Sequence, residues 1–172
     1  MPILEEAAAP HVLSKGGTFM KSIVIAGLGA AALIAVAGSV AGQDFNRNPA
    51  FGTYRLGAGF TPDPYTINVR AGGQRNAGAL GSGCTGSIAN APDVRIHYQA
   101  GSFPLSFRVR SNIDTTLVVN DPSGRWHCDD DSAGNLDPLV RFDNPQGGQY
   151  DVWIGHYDGG SGAPARLQIT EY

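Results

Sequence analysis

The sequence predicts an all-β protein: an antiparallel jelly-roll β-sandwich of about eight strands, preceded by a signal peptide. The first observation is the composition, with 24 glycines in 172 residues and only 16% charged residues. The second is the choice of charged residues, since both lysines precede residue 22 and Glu171 is the only later glutamate. Exposed helices are rich in Lys and Glu, so their scarcity disfavours helices. The third is a series of short segments in which apolar and polar residues alternate with period two.

Residues 20–42 have the layout of a secretory signal peptide. Lys21 supplies a basic start, Ile23–Ala37 contains no charged residue, and small residues follow it. A basic start, an apolar stretch and small residues at the cleavage site are the three parts of such a signal. We therefore expect a protein that is secreted or periplasmic.

Cleavage is expected after Ala41 or Gly42, which leaves residues 43–172 as one domain without a membrane span. Residues 1–19 are then an upstream extension of the reading frame, because Met20 is the natural start of the signal. The alternative is an uncleaved membrane anchor, for which the apolar segment is barely long enough.

Eight segments have the residue pattern of strands. The clearest places Leu105, Phe107 and Val109 on one face, opposite Arg108 and Arg110 on the other. Clusters of Gly, Pro, Asn and Asp separate the segments and predict turns. The predicted strands are Phe51–Leu56, Tyr65–Arg70, Val94–Gln99, Leu105–Arg110, Thr115–Val119, Leu139–Phe142, Tyr150–His156 and Leu167–Thr170. Short strands at this spacing, with no amphipathic helix between them, are typical of a sandwich or jelly roll.

Two cysteines, Cys84 and Cys128, lie in the exported part of the chain. A pair of cysteines in an oxidising compartment most simply forms one disulfide. The alternative is a metal site that uses Cys128 beside His127, but the sequence has no CxxC or HxxxH pair to complete it. We therefore predict the disulfide.

The strongest chemical signal is the acidic segment from Asp129 to Asp137. It contains four carboxylates and one amide, contributed by Asp129, Asp130, Asp131, Asn135 and Asp137. Adjacent carboxylates repel each other, and a calcium ion with oxygen ligands would compensate that charge. The spacing is not that of an EF-hand. The alternative is a solvated acidic turn without a metal.

The segment from Asp114 to Ile169 resembles the bacterial pre-peptidase C-terminal domain. The motifs are the strand and DPSG turn of Asp114–Gly124, the acidic DDD…GN loop of Asp129–Asp137, and the strand Gly148–Gly155. The resemblance implies a small jelly-roll β-sandwich of a kind often appended to secreted proteases. It also implies calcium in the acidic loop, with Asp129, Asp130, Asp131 and Asp137 as ligands and Asn135 as a weaker candidate.

The chain is also similar to short stand-alone exported bacterial proteins that are often labelled as serine peptidases, through Gly59–Pro64, Gly83–Gly86 and Pro92-Asp93. Ser161 lies in a glycine turn that lacks the G-x-S-x-G pattern, and no histidine is spaced to act as its base. A glycosidase with paired carboxylates is disfavoured too, because Glu171 is the only glutamate in the domain. We therefore expect a protein that is not an enzyme.

A binding or accessory role is the main functional prediction. The formal net charge is −3, and a nucleic-acid-binding protein would show a basic patch, so we expect no nucleic acid. Trp126, Trp153 and Tyr157 are candidates for an aromatic platform that stacks on sugar rings. The alternative is that the tryptophans fill the core. The expected partner is a polysaccharide or another exported protein, bound by a calcium-stabilised module.

Overall fold

The computed structural model describes residues 43–172. The expectations for residues 1–19 and 20–42 lie outside the described residues. In the part described, no helix has the length and hydropathy of a membrane span. The strands are β1 (Thr53–Gly57), β2 (Tyr65–Gly73), β3 (Arg75–Asn76), β4 (Ser87–Ile88), β5 (Val94–Gln99), β6 (Leu105–Ser111), β7 (Thr115–Asn120), β8 (Trp126–Asp129), β9 (Leu139–Phe142), β10 (Gly148–His156) and β11 (Gly160–Thr170). A single 3-10 helical turn, Ala77–Leu80, lies between β3 and β4.

Eight of these strands form a jelly roll of two sheets. Sheet A contains β5, β10, β7 and β8 in that spatial order, and sheet B contains β2, β11, β6 and β9. Numbered along the chain from one to eight, the sheets read 2-7-4-5 and 1-8-3-6, which is jelly-roll order. Every pairing among these eight strands is antiparallel. The predicted all-β sandwich is therefore confirmed.

The membership of the jelly roll differs from the prediction at two strands. β1 was expected as an antiparallel strand, but it lies at the edge of sheet A and pairs with β5 in parallel. A parallel pair needs a long crossover connection, and here β2, β3 and β4 all lie between the two strands. The eighth strand of the jelly roll is β8 rather than β1, and the alternation of residues does not predict β8.

The main core lies between the two sheets. The inward side chains of each strand interdigitate there, and Phe107, Tyr150 and Phe142 form an aromatic group with ring centroids 5.3–6.1 Å apart. The buried members are Leu56, Ile67, Val69, Ala71, Val94, Ile96, Tyr98, Leu105, Phe107, Val109, Leu117, Val119, Val140, Tyr150, Val152, Ile154, Ala165, Leu167 and Ile169. Because residues alternate between the two faces of a strand, the intervening polar side chains of sheet B face solvent.

A second core lies on the outer face of sheet A. Residues 77–89, here called the cover, pack on that face and bury Val118 and Trp153 completely. A disulfide between Cys84 of the cover and Cys128 of β8 joins the two layers, with the Cα atoms 5.0 Å apart. The predicted disulfide is therefore confirmed.

Gly155 of β10 allows the close approach of the cover to sheet A. A Cβ atom at this position would lie 2.1 Å from Thr116 Oγ1 and 2.9 Å from Ile88 Cγ2. Real Cβ atoms do not approach other atoms so closely, so only glycine fits without displacing the side chains of Thr116 on β7 and Ile88 on β4. Sheet A is thus covered on both faces at β7 and β10, whereas sheet B has one face against the core and one mainly against solvent.

Candidate functional site

The acidic segment Asp129–Asp137 forms a tight loop that its own hydrogen bonds organise. Asp129 Oδ2 accepts hydrogen bonds from the backbone amides of Ser132 at 3.0 Å and Leu139 at 2.8 Å, and Asp129 Oδ1 accepts one from the Ser132 hydroxyl. The Asp129 carboxylate therefore joins the two ends of the loop. Asn135 and Leu136 have φ values of 58° and 59°, in the left-handed region, and their side chains are exposed.

Asp137 also has a partner within the protein. It is buried, and its Oδ2 atom lies 2.5 Å from Arg110 Nη1. Its Oδ1 atom accepts a longer hydrogen bond from the backbone amide of Ser111. Within residues 43–172, no hydrogen bond or ion pair engages the side chains of Asp130 and Asp131. Two of the four predicted carboxylate ligands thus have internal roles, and two do not.

Carboxylates also accumulate around Asp114, in the turn that precedes β7. Burial raises the pKa of the Asp114 carboxyl, and the charges of Asp131, Asp158 and Asp130 raise it further. Asp114 Oδ1 is buried and has no hydrogen-bond partner among the described residues. Even so, no group of three or more Asp, Glu, His or Cys residues within residues 43–172 has the arrangement of a metal site. The five predicted calcium ligands do not converge, so calcium binding stays a prediction.

The predicted aromatic platform does not form. Trp153 has no exposed surface, because the cover packs on it. Trp126 lies beside it, with ring centroids 5.3 Å apart, and is itself half-buried. Tyr157 is exposed, at 45% of its surface. The prediction that Trp153 presents a face to sugar rings is therefore wrong, and the alternative that the tryptophans fill a core is correct.

Ser123, Asp121 and His127 come together, but not in the order that nucleophilic catalysis requires. Asp121 is the shared partner: its Oδ1 atom accepts from the Ser123 hydroxyl at 2.6 Å, and its Oδ2 atom lies 2.8 Å from His127 Nε2. A catalytic triad needs the histidine to contact the serine. Burial would raise the pKa of the Asp121 carboxyl, but hydrogen bonds from Ser123, His127 and the Arg125 amide outweigh it and hold that pKa well below its ordinary range. The group organises the DPSG turn.

Ser161 lies at the start of β11, beside an irregularity in the pairing with β2. Its side chain is exposed and makes no hydrogen bond within the described residues. The nearest histidine in sequence, His156, has a buried Nδ1 atom without a hydrogen-bond partner there.

The most distinctive surface of the protein is the solvent side of sheet B. The arginine face, as we call it, carries five of the ten arginines that the chain has after residue 42. They alternate with the core residues of β2, β6, β9 and β11 and therefore point away from the core. Its members are Arg70, Arg108, Arg110, Arg141 and Arg166, with the uncharged polar residues Thr66, Asn68, Gln168 and Thr170 beside them.

The guanidinium groups of this face are only partly neutralised. Arg110 pairs with Asp137, and Arg141 pairs with the exposed Asp143 at 2.8 Å. Arg70 and Arg108 donate to backbone carbonyls, of Gly162 at 2.8 Å and Ala133 at 3.2 Å.

Arg166 makes no hydrogen bond or ion pair within the described residues. A shallow groove of about 960 Å³ runs over part of the face. Arg70, Arg110 and Arg166 line it together with Asn68, Gln168 and Asp137, the partner of Arg110. Because each guanidinium has five N–H donors, most of the donors on the face remain available.

Sequence reasoning missed this surface, although its signal is present. In β6 the arginines alternate with apolar residues, which predicts one strand with a cationic face. The net charge of −3 gives no indication that the fold places the arginines of four strands on one face. The described residues therefore carry a basic patch that the net charge does not indicate, and the expectation that the protein binds no nucleic acid stays a prediction. The acidic side chains that balance the total charge lie mainly in loops and turns outside the arginine face.

Distant similarity to solved structures is found, without a match to a family. No family model matches the sequence, and no curated protein matches it. Among solved structures, the pre-peptidase C-terminal domain of a Bacillus anthracis collagenase matches 72% of this chain and 100% of its own, with 17% identity and a TM-score of 0.41. The periplasmic g-type lysozyme inhibitor PliG of Aeromonas hydrophila matches 69% of this chain and 96% of its own, with 11% identity and a TM-score of 0.35.

The first of these matches is a domain of the family that the sequence motifs resemble. Both TM-scores are below 0.5, so the jelly-roll assignment rests on the strand order of the protein itself. At this similarity, neither match assigns a function to the chain.

Proposed function

We propose that residues 43–172 are an exported, non-catalytic binding module that attaches to an anionic partner through the arginine face. The observation that carries the proposal is the presence of five arginines on one solvent-facing sheet, where Asp137 and Asp143 are their only side-chain ion-pair partners within residues 43–172. Arginine is the residue best suited to planar, bidentate contacts with carboxylate and phosphate groups.

The like charges on this face are costly to the fold, which supports a binding role. Cationic side chains directly opposite each other on neighbouring strands destabilise a sheet, and Arg166 lies directly opposite Arg110. An uncharged side chain at position 166 would remove that repulsion without affecting the core, whereas one at position 110 would leave the buried Asp137 without its partner. Such a local cost is typical of surfaces that serve binding.

Export is supported by the disulfide and by the signal-like residues 20–42. Disulfides persist in oxidising compartments and are rare in the cytosol of most organisms. The absence of catalysis is supported by the arrangement at Asp121, where the carboxylate rather than the histidine is the partner of the serine.

Retention on an anionic matrix tests the proposal. A protein of net charge −3 has no overall attraction to a sulfonate cation-exchange column at pH 7. We expect residues 43–172 to be retained at low salt and released by added salt, since screening weakens contacts between exposed charges. Arg166→Glu should abolish retention. The matched control, Arg75→Glu, lies on β3 of the opposite sheet and should leave retention nearly unchanged.

Flow-through of the wild-type protein would contradict the proposal. So would equal losses for the two variants, because retention would then reflect total charge alone.

A further inference from the structure

We infer that the anionic partner is a linear polysaccharide with carboxylate groups along its length, such as a polyuronate. The inference rests on the proposed function and names the class of ligand that the arginine face fits. It starts from the way the five arginines are arranged on the sheet.

The five arginines form a continuous diagonal stripe across sheet B. Arg70 on β2 pairs with Pro164, and Arg166 follows two residues later on β11. Arg166 lies directly opposite Arg110 on β6, and Arg108 is the next outward residue of the same strand. The stripe therefore advances in one direction over the first three strands.

The stripe continues to the far edge of the sheet. Arg108 pairs with Leu139 on β9, and Arg141 is the next outward residue of that strand. Neighbouring strands are about 4.8 Å apart, and each strand rises about 3.4 Å per residue. The five positions therefore span roughly 25 Å along one diagonal.

A line of separated cations fits an extended polyanion better than a compact anion. A single phosphate or carboxylate would need several guanidinium groups that converge on one point, whereas these groups follow one another across three strand spacings. An extended polymer with one carboxylate per repeat presents its charges in the same serial way. A guanidinium without a carboxylate partner, such as that of Arg166, can bind one carboxylate with two parallel N–H···O bonds. Arg110 and Arg141 already pair with Asp137 and Asp143, so a ligand carboxylate would share or displace those contacts.

The side chains beside the stripe have the chemistry of sugar recognition. Asn68, Thr66, Gln168 and Thr170 lie on the same face, on the side of β2 and β11, and supply amide and hydroxyl groups for sugar hydroxyls. None of the outward residues of the four strands is aromatic. Recognition of single-stranded nucleic acid relies on aromatic stacking of bases, and protein hot spots rely on buried aromatic or apolar anchors. The outward positions of these strands offer no aromatic residue for either role, although Phe51, from the segment before β1, also lines the groove.

Binding of polygalacturonate to residues 43–172, measured by isothermal titration calorimetry, tests the inference. We expect saturable binding that weakens as salt is added. Fully methyl-esterified polygalacturonate should not bind, because it has the same backbone without the charges. The double variant Arg70→Gln/Arg166→Gln should weaken binding at least tenfold. Its matched control, Arg55→Gln/Arg75→Gln, removes the same charge from β1 and β3 and should bind like the wild type.

Both double variants should first be shown to melt like the wild type or above it, so that a loss of binding is not a loss of folding. Heparin, poly-glutamate and a short DNA duplex serve as comparison polyanions. Tighter binding of heparin than of polygalacturonate would indicate that the arginine face recognises sulfate rather than carboxylate. That result would overturn the polyuronate assignment.

Binding of poly-glutamate or DNA without polygalacturonate would overturn the inference but leave the proposed function standing. Equal losses for the two double variants would overturn the stripe as the site. Failure to bind any of the polyanions would contradict both the inference and the proposed function.

Discussion

Arg110 and Arg166 lie directly opposite each other on neighbouring strands, on the solvent side of sheet B. Arg110 has an ion pair with Asp137, whereas Arg166 has no charged partner within the described residues. Asp137 offsets the charge of Arg110, so the positive charge of Arg166 is the one without compensation there, and an anionic ligand would neutralise it.

We expect Arg166→Gln to stabilise the free protein while it weakens binding to anions. Direct cross-strand pairs contribute about 0.2–1 kcal/mol, so the gain in unfolding free energy should be of that size. Urea denaturation of the variant and the wild type measures it. Arg75→Gln is the control, because Arg75 pairs with Ile88 and has no cation opposite it. A loss of stability in Arg166→Gln would mean that the repulsion is not significant.

Asp93 should make the protein less stable as the pH rises towards neutral. Its carboxyl is buried, and burial raises its pKa to about 7 despite a hydrogen bond from the Ile154 amide at 2.7 Å. Because the folded pKa exceeds the ordinary one, this contribution to stability is complete below about pH 4 and is lost as the pH rises through 7.

Asp93→Asn keeps an oxygen that accepts the hydrogen bond from Ile154 but never ionises. Its melting temperature should therefore exceed that of the wild type at pH 8 and approach it at pH 5. One pKa unit corresponds to about 1.4 kcal/mol, so the difference at pH 8 is a few kcal/mol at most. Asp143→Asn, at an exposed carboxylate, should show no such trend. Parallel melting profiles for Asp93→Asn and the wild type would contradict the assignment.

Asp121 should make the protein less stable as the pH falls, which is the opposite of the trend expected for Asp93. Its carboxylate accepts five hydrogen bonds, from Ser123, Arg125 and His127, and its pKa lies below the ordinary range. The stability that it contributes is present above about pH 4 and is lost as the pH falls below that value.

Asp121→Asn should therefore lower the free energy of unfolding at pH 7 by about 1.5–3 kcal/mol, the usual value of a hydrogen bond to a charged group. The deficit should shrink as the pH falls below 4. Denaturation curves at pH 7 and pH 3 provide the comparison, and Asp93→Asn is a useful reference because its pH trend has the opposite sign. A deficit that is equal at both pH values would show that the charge of Asp121 is unimportant.

The disulfide should hold the cover on Trp153. In Cys84→Ser/Cys128→Ser the covalent link between the cover and β8 is absent, and the loss of a native disulfide of this kind costs about 2–4 kcal/mol. We expect the tryptophan fluorescence of the variant to shift to longer wavelength as Trp153 becomes hydrated. Dithiothreitol should change the wild type in the same way and leave the variant unaffected. Identical spectra for the two proteins would mean that packing alone keeps the cover closed.

Calcium can be tested through the two acidic residues that have no internal partner. Because Asp129 and Asp137 already accept hydrogen bonds or ion pairs, any calcium effect should depend on Asp130 and Asp131. In the presence of chelator, Asp130→Asn/Asp131→Asn should melt above the wild type, since the repulsion that raises the pKa of Asp114 is reduced. Calcium should raise the melting temperature of the wild type alone. Equal melting curves of the wild type with calcium and with chelator would eliminate the calcium prediction.

Local residue patterns predicted the strands well, because alternation depends only on which face of a strand is buried. The segment Leu105–Arg110 illustrates this: its apolar residues are in the core and its arginines face solvent. β8 was missed because Trp126–Asp129 is short and all four residues are half-buried, so no alternation appears.

The errors concern contacts that join distant parts of the chain. The sequence correctly placed Trp153 on the face of β10 opposite Val152 and Ile154. It did not show that the cover, about 70 residues earlier in the chain, lies on that face. The ion pair of Asp137 in the acidic loop was missed for the same reason, because its partner, Arg110, lies on another strand. Such pairings follow from strand order, which residue patterns alone do not specify.

Because the cover packs on sheet A and not on sheet B, the two sheets differ in how readily they tolerate substitutions on their outer faces. In sheet A both faces of β7 and β10 are packed, so amide protons there should exchange with solvent most slowly, at rates set by global unfolding. Most outward positions of sheet B touch no second layer, so substitutions there need not disturb the interior, with Arg110 an exception because it pairs with the buried Asp137. One side of the sandwich thus preserves the fold, while the other is open to diversification, and related proteins with different ligands would be expected to differ first at the outward positions of β2, β6, β9 and β11.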